Sequence, residues 1–292
     1  MDEDKLNILE LADAAVANKP RRYPNLFAHI LLAIFALVAV VPFVWMLLTS
    51  LKTEPEATIL ENFHIFPEKW QWGNFRTLFE QHPMAIYYLN SAIYTLLRSL
   101  PALFLASLTG FVIAKYSFRA RRAMWVLIIA TLIVPFQLRL IPMANMLFGI
   151  GLKNEYWAVV LPGLLDPFGI FLFIQACKAI PDELLESARI DGCGIWRQYI
   201  HVALPLVGPT LAAYAIILFM WSWGEFLWSF IVITETARMP LEVGIKGFSG
   251  EHYSTLTHMM AAATVAVIPV VVVFLVLQRQ FVRGVTMSGL KG

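Results

Sequence analysis

Six apolar runs limit the folds open to this chain more than any other feature: residues 27–49, 89–114, 123–147, 156–178, 204–233 and 260–281. A bilayer core about 30 Å thick is crossed by about 20 apolar residues in helical form, so each run is long enough to span it. The runs are continuously apolar and lack the alternation of a barrel strand. A helix then satisfies every backbone group within the segment. The expected class is an all-α polytopic membrane protein with six transmembrane helices, the fifth the longest or kinked. Composition agrees, with 59% apolar and 14% charged residues, far from the balance of a soluble domain. The first run exceeds the core of a cleavable signal peptide and no small-residue cleavage site follows it, so it is expected to remain a span.

Short loops rich in Lys and Arg stay on the cytoplasmic side of a membrane. Alternating the loops puts Lys5, Lys19, Arg21, Arg22, Lys115, Arg119, Arg121, Arg122, Lys178, Arg189, Arg197, Arg279, Arg283 and Lys291 on one side, fourteen in all. The other side holds six: Lys52, Lys69, Arg76, Lys153, Arg238 and Lys246. Both termini are therefore expected to be cytoplasmic, with residues 50–88, the turn 149–155 and residues 235–257 facing outward. Before the first run, Leu6, Leu9 and Val16 carry a weak helical spacing that fits a surface helix and a disordered tail equally.

Several chemistries are missing. The net charge of +2 argues against a nucleic-acid partner. Cys177 and Cys193, the two cysteines, are too few for a disulfide framework or a cysteine zinc site. No phosphate-cradling Gly-x-x-x-x-Gly-Lys-Ser/Thr turn occurs, no Gly-x-Ser-x-Gly elbow, and His252 and His258 have the wrong interval for a His-Glu-x-x-His zinc helix. The chain is expected to be no enzyme and to hold no cofactor or metal. Any energy for transport must come from a partner.

The segment between the fourth and fifth runs, about 180–205, is the most informative. Pro181 suits a first helical turn, and Asp182 and Glu183 favour the positive end of a helix dipole. Gly192 and Gly194 should end that helix, and a second one, about 195–203, should lead into Pro205, which a first turn tolerates. Leu184, Ala188 and Cys193 flank one stripe of the first helix while Glu186 and Arg189 project elsewhere. These residues alone suit a protein docking site and an amphipathic loop resting on headgroups equally well.

The motif separates the two. Glu186-Ser187-Ala188, three residues, Gly192, nine residues, then Val202-Ala203-Leu204-Pro205 resembles the Glu-Ala-Ala…Gly…Ile-x-Leu-Pro signature of permease subunits in ABC importers. Ser187 stands for Ala and Val202 for Ile, both similar in size. The resemblance implies that Glu186, Ser187, Ala188, Gly192, Val202, Leu204 and Pro205 belong to coupling helices seated in a groove of an ATP-binding subunit. Trp223-Gly224-Glu225-Phe226-Leu227-Trp228 and the end of the chain, 278–286 and 289–292, are similar to the carbohydrate-uptake branch, in particular the second permease of maltose-type systems. Gly224 stands where that branch carries Asn, which removes a polar side chain from that position. The likeness runs over residues 25–292, the permease domain, and leaves the tail 1–24 apart. It implies a second homologous permease, two ATP-binding subunits that hold ATP and Mg, an extracytoplasmic solute-binding protein, and a place in a bacterial or archaeal inner membrane.

Ionisable side chains at membrane depth cost about 2.5–3.5 kcal/mol on insertion scales and so tend to face a cavity or a partner. Arg98, Arg139, Asp166 and Glu225 are such residues. Arg98 and Asp166 also suit helix ends, Arg139 a snorkelling or paired position, and Glu225 a hydrogen bond within an interface. With Asn90, at the start of the second run, and Trp223, whose ring could stack on a sugar, Arg139 and Glu225 form the candidate translocation path. Prolines 135, 142, 162, 167 and 269 interrupt spans or their edges, where freed carbonyls can line a cavity. The whole suggests an importer permease for a sugar or sugar-like solute. An ion-gradient-driven carrier and a non-transporting membrane scaffold are the alternatives.

Overall fold

The computed structural model describes residues 26–59, 64–247 and 255–289, with side chains to residue 278. The spacing of Leu6, Leu9 and Val16, His252, and the last three residues of the terminal pattern lie outside the described residues. In chain order the helices are α1 Leu26–Ser50, α2 Glu54–Thr58, α3 Gly73–Gln81, α4 Met84–Lys115, α5 Arg121–Ile133, α6 Phe136–Gly149, α7 Tyr156–Val160 and α8 Pro167–Lys178. Then come α9 Asp182–Ile190, α10 Ile195–Gln198, α11 Leu204–Leu206, α12 Gly208–Trp223, α13 Leu227–Val232, α14 Leu241–Gly247 and α15 Leu256–Gly289. Among the described residues there is no strand.

The chain divides into two units, residues 1–46 and 47–292. In the first, residues 26–46 form one helical stretch whose side chains are almost all exposed, as an apolar surface in contact with lipid would be. The second holds the core. Lipid tails are as apolar as leucine, so helices in a membrane associate through close packing and hydrogen bonds. The main contact here is between α4 and α8. On α4, Ala102, Ala106 and Gly110 recur every fourth residue and are all buried. A β-carbon at Gly110 would lie 2.4 Å from Cβ of Phe173 and 2.9 Å from the backbone nitrogen of Ile174, so only hydrogen fits there. Phe111, Phe173, Ile174 and Tyr214 complete this core.

Among the described residues, five helices or helix runs are long and apolar enough to cross a membrane, and a sixth results when the bent pair α5 and α6 is taken as one span. The third span, read as the run 123–147 with Pro135 among the interrupting prolines, bends by 105° between Ile133 and Phe136. Pro135 offers no N–H and pushes the residue before it out of the helical region; Val134 is extended at φ −80°, ψ 114°. The fourth span is interrupted likewise, by a 3-10 turn at Leu161–Gly163 before α8 begins at Pro167. The fifth is kinked, as its length suggested, breaking at Gly224–Phe226 between α12 and α13.

Carboxylates occupy two of these breaks. Asp166 accepts a hydrogen bond from the N–H of Gly169 at 2.9 Å at the start of α8, and from the Tyr214 hydroxyl at 2.5 Å. Glu225 accepts from the N–H groups of Trp228 and Ser229, both at 2.8 Å, and from the Ser229 hydroxyl at 2.7 Å. Helix N-termini have unmatched N–H groups that attract negative charge, which explains why acids are found at membrane depth.

Gly110→Ala should lower the thermal unfolding midpoint of the detergent-purified protein by several degrees, overpacking costing about 1–3 kcal/mol. Gly149→Ala, where an added β-carbon meets nothing within 4 Å, should not.

Candidate functional site

The segment 180–205 folds as its sequence signals suggest. After α9, Gly192 takes φ +81°. Its N–H donates to the Arg189 carbonyl at 3.0 Å, and the N–H of Cys193 reaches back to the Ala188 carbonyl at 2.9 Å. This pair of bonds is a Schellman turn, which requires a left-handed residue at its apex. Two positions of the motif, Ala188 and Gly192, thus lie at the closing carbonyl and the apex of a single turn. α10 follows and passes into a π-turn at Tyr199–Ala203, where the N–H of Leu204 bonds the Tyr199 carbonyl five residues back. Pro205 has no N–H to give to the carbonyl four residues earlier, and the wider π-turn makes room for its ring.

Hydrogen bonds fix this bracket to the end of α4. Lys115 Nζ donates to the Ile180 carbonyl and to Asp182 Oδ1, the latter at 2.6 Å. The Tyr116 hydroxyl donates to Gln198 Oε1 at 2.6 Å, and Gln198 Nε2 in turn donates to the Cys193 carbonyl at 2.7 Å, tying down the turn itself. Ser107 and Tyr199 share a 2.8 Å bond between hydroxyls. Leu185, which the expected stripe of Leu184, Ala188 and Cys193 skips, is the residue of α9 that enters the core, while Leu184 points outward. The opposite surface is exposed and mixed: Leu184, Ile195, Trp196 at 52% and Ile190 at 87% stand among the exposed Glu183, Glu186, Arg189 and Arg197. Of the motif residues, Glu186, Ser187, Gly192 and Pro205 are exposed, Ala188, Val202 and Leu204 half-buried.

The four path candidates are not brought together. Asn90 is 2% exposed and its amide is fully used: Nδ2 donates to the carbonyls of Ala237 and Met239, both at 3.0 Å, and Oδ1 accepts from the Tyr156 hydroxyl at 2.8 Å. Trp223 is buried, with Nε1 donating to the Ala266 carbonyl at 3.0 Å and its ring stacked on Phe219. Arg139 is exposed, its guanidinium 5.8 Å from the Phe136 ring centre. Glu225 alone of the four lines a cavity, of about 530 Å³, with Arg98, Phe136, Gln137, Pro162, Trp221 and Trp228 among the other walls. The breaks at Pro135 and Pro162 open it. Arg98 Nε is buried without a protein partner, and Trp221 is 49% exposed. Arg98, Gln137 and Trp221 were absent from the expected path; the signals for this place were the two prolines and the ionisable Arg98 and Glu225 at membrane depth.

At the other end, a second set of bonds joins α4 to the segment before α14. Beside Asn90, Ser91 Oγ accepts from the N–H of Leu241 at 2.8 Å, and the Tyr94 hydroxyl donates to the Arg238 carbonyl at 2.8 Å. Nearby, Glu54 accepts from the N–H groups of Leu256 and Thr257 at the start of α15, at 2.9 and 3.1 Å. Burial raises the pKa of the neighbouring Glu56 carboxyl. N–H bonds from Glu68 and Thr53, the Thr53 hydroxyl and the charge of Lys52 outweigh that and hold it below the ordinary carboxylate value.

These features define a helical membrane component: broken spans around a polar cavity, and a bracket standing off one end. Residues 102–287 match the family described as the binding-protein-dependent transport system inner membrane component, and the chain belongs to that family. It is 29% identical to the arabinooligosaccharides transport system permease protein AraQ of Halalkalibacterium halodurans, over 89% of this chain and 94% of that protein. It is 28% identical to the lactose transport system permease protein LacG of Rhizobium radiobacter, over 90% and 96%. It is 29% identical to the sn-glycerol-3-phosphate transport system permease protein UgpE of Salmonella typhi, over 92% and 98%. The fold is similar to a chain of a bacterial ABC transporter involved in the import of the acidic polysaccharide alginate, with TM-score 0.78, 21% identity, and 89% and 99% of the two chains covered. The chain is thus a multi-pass inner-membrane transport permease, not an ion-gradient carrier or a scaffold.

Gly192→Ala should speed amide exchange over residues 184–198 about fivefold or more without changing exchange in α4. A side chain in the left-handed region costs about 1–2 kcal/mol, borne by the turn.

Proposed function

We propose that this permease forms, with a second homologous permease, the path by which an ATP-driven importer takes up a sugar or sugar-like solute, and that α9 and α10 dock on an ATP-binding subunit. The observation that carries this reading is the bracket at 182–198: its Schellman turn presents Leu184, Ile190, Ile195 and Trp196 outward, while Lys115, Tyr116, Ser107 and Leu185 fasten its other side to the core. Exposed apolar side chains on a rigid mount suit a protein groove. Two ATP-binding subunits hold ATP and Mg and hydrolyse the nucleotide. Their closure pulls the bracket and moves the spans as rigid bodies between inward-open and outward-open states. An extracytoplasmic binding protein delivers solute to the opposite face, and both termini lie in the cytoplasm. The names of the relatives support a saccharide or glycerol-phosphate-like solute.

We place one stretch of the solute path in the cavity of about 530 Å³. Its chemistry suits a hydroxylated ring: Trp221 offers an apolar face, Arg98 and Gln137 offer donors, and Glu225 adds an acceptor.

In the assembled importer, Gly192→Asp, and separately Ile190→Asp with Trp196→Asp, should abolish substrate-stimulated ATP hydrolysis while the outward face still binds the loaded binding protein. Coupling that survives in both variants sinks the docking role. Trp221→Ala should raise the KM for uptake into vesicles about tenfold, an aromatic face being worth about 0.5–1.5 kcal/mol. Unchanged KM would move the path elsewhere.

A further inference from the structure

A second cavity, of about 330 Å³, lies at the bracket end of the bundle where α4 ends, α5 begins and α8 ends. Arg119, Arg121, Arg122 and Lys178 line it, with no carboxylate among the lining residues, over an apolar floor that includes Trp125 and Ile174. None of the four cations makes an ion pair among the described residues. The nearby Asp182 carboxylate is engaged by Lys115. The chain itself positions two of the four: Arg121 Nη2 donates to the Ala114 carbonyl at 3.1 Å, and Lys178 Nζ sits 5.0 Å from the centre of the Trp125 ring.

Four like charges round one hollow repel one another, and more strongly beside a membrane interior than in water. Retention of the loop on the cytoplasmic side needs positive residues but no cavity. A ligand that satisfies the cluster must be anionic. Its seat between the ends of three membrane-crossing helices, with an aromatic ring at that level, is where lipid phosphates lie. Further along α5, Val126 and Leu127 are exposed and apolar, as a helix beside an acyl chain requires. We propose that this cavity binds the phosphodiester headgroup of an anionic glycerophospholipid, with Arg119, Arg122 and Lys178 on the phosphate oxygens. The lipid would then sit beside the mount of the bracket, through Lys115 and Ile180.

The test is native mass spectrometry of the full-length chain, purified with its co-expressed subunits from nanodiscs of phosphatidylglycerol mixed with phosphatidylcholine. The wild type should retain phosphatidylglycerol preferentially. Arg119→Gln with Arg122→Gln should reduce that retention about thirtyfold, on about 1 kcal/mol for each cation near an anionic surface. Arg119→Lys with Arg122→Lys should keep it. Should the double Gln variant fail to assemble, Lys178→Gln alone should lower retention about fivefold. Equal retention by the wild type and the Gln variants overturns the proposal. So does displacement of the lipid by inorganic phosphate at matched phosphate concentration, which would assign the site to a soluble anion. Loss of co-purifying subunits with lipid retention unchanged would assign the cations to a protein partner and overturn it as well.

Discussion

The approach of α4 to α8 at Gly110 and Phe173 supports the rest of the second unit. In water the burial of apolar surface would hold two such helices together. In a bilayer it does not, and the small-residue row Ala102, Ala106 and Gly110 lets the backbones come close enough for dispersion and the few available hydrogen bonds to suffice. The bracket depends on this contact, because Ser107, Lys115 and Tyr116, which hold it, lie on or just after the same turns of α4. Ile180 and Asp182, which Lys115 grips, follow directly from α8.

Where the spans break, the constraint is on polar groups instead. A break exposes N–H groups that hydrocarbon cannot solvate, and at two of the three an acid at the next helix start satisfies them: Asp166 before α8, Glu225 before α13. These two carboxylates therefore belong to the architecture before they belong to any solute. Arg98 differs, since its buried Nε has no such internal duty. The cavity it lines exists because Pro135 and Pro162 prevent two helices from running straight.

Local physics was readable from the chain, and long-range placement was not. Runs of apolar residues gave the spans, Pro135 and Pro162 marked two of the three breaks while Pro142 and Pro269 lie inside unbroken helices, and Pro181, Asp182, Glu183 and Gly192 marked the ends of α9 to within a residue or two. All of these act through neighbours a few positions away. Which face of α12 looks into a cavity is another matter. That helix is apolar almost all round, so lipid-facing and protein-facing positions have the same composition, and Trp221 and Trp223 look alike in sequence. The former is half exposed, the latter buried and bonded to Ala266. Asn90 is ambiguous in sequence for a related reason: a buried amide that clamps Ala237 and Met239 has the same sequence appearance as one that waits for a sugar.

One helix carries both clamps. Asn90, Ser91 and Tyr94 seize the segment 237–241 near one end of α4, and Ser107, Lys115 and, just beyond its last turn, Tyr116 seize the bracket near the other. Between the two sets stands Pro101, the single proline inside α4, which omits one backbone bond of the helix. A displacement applied at one tip would reach the other through this member, and its backbone ladder is incomplete at Pro101. The stiffness of the few residues around 97–101 would then set how much of that displacement arrives.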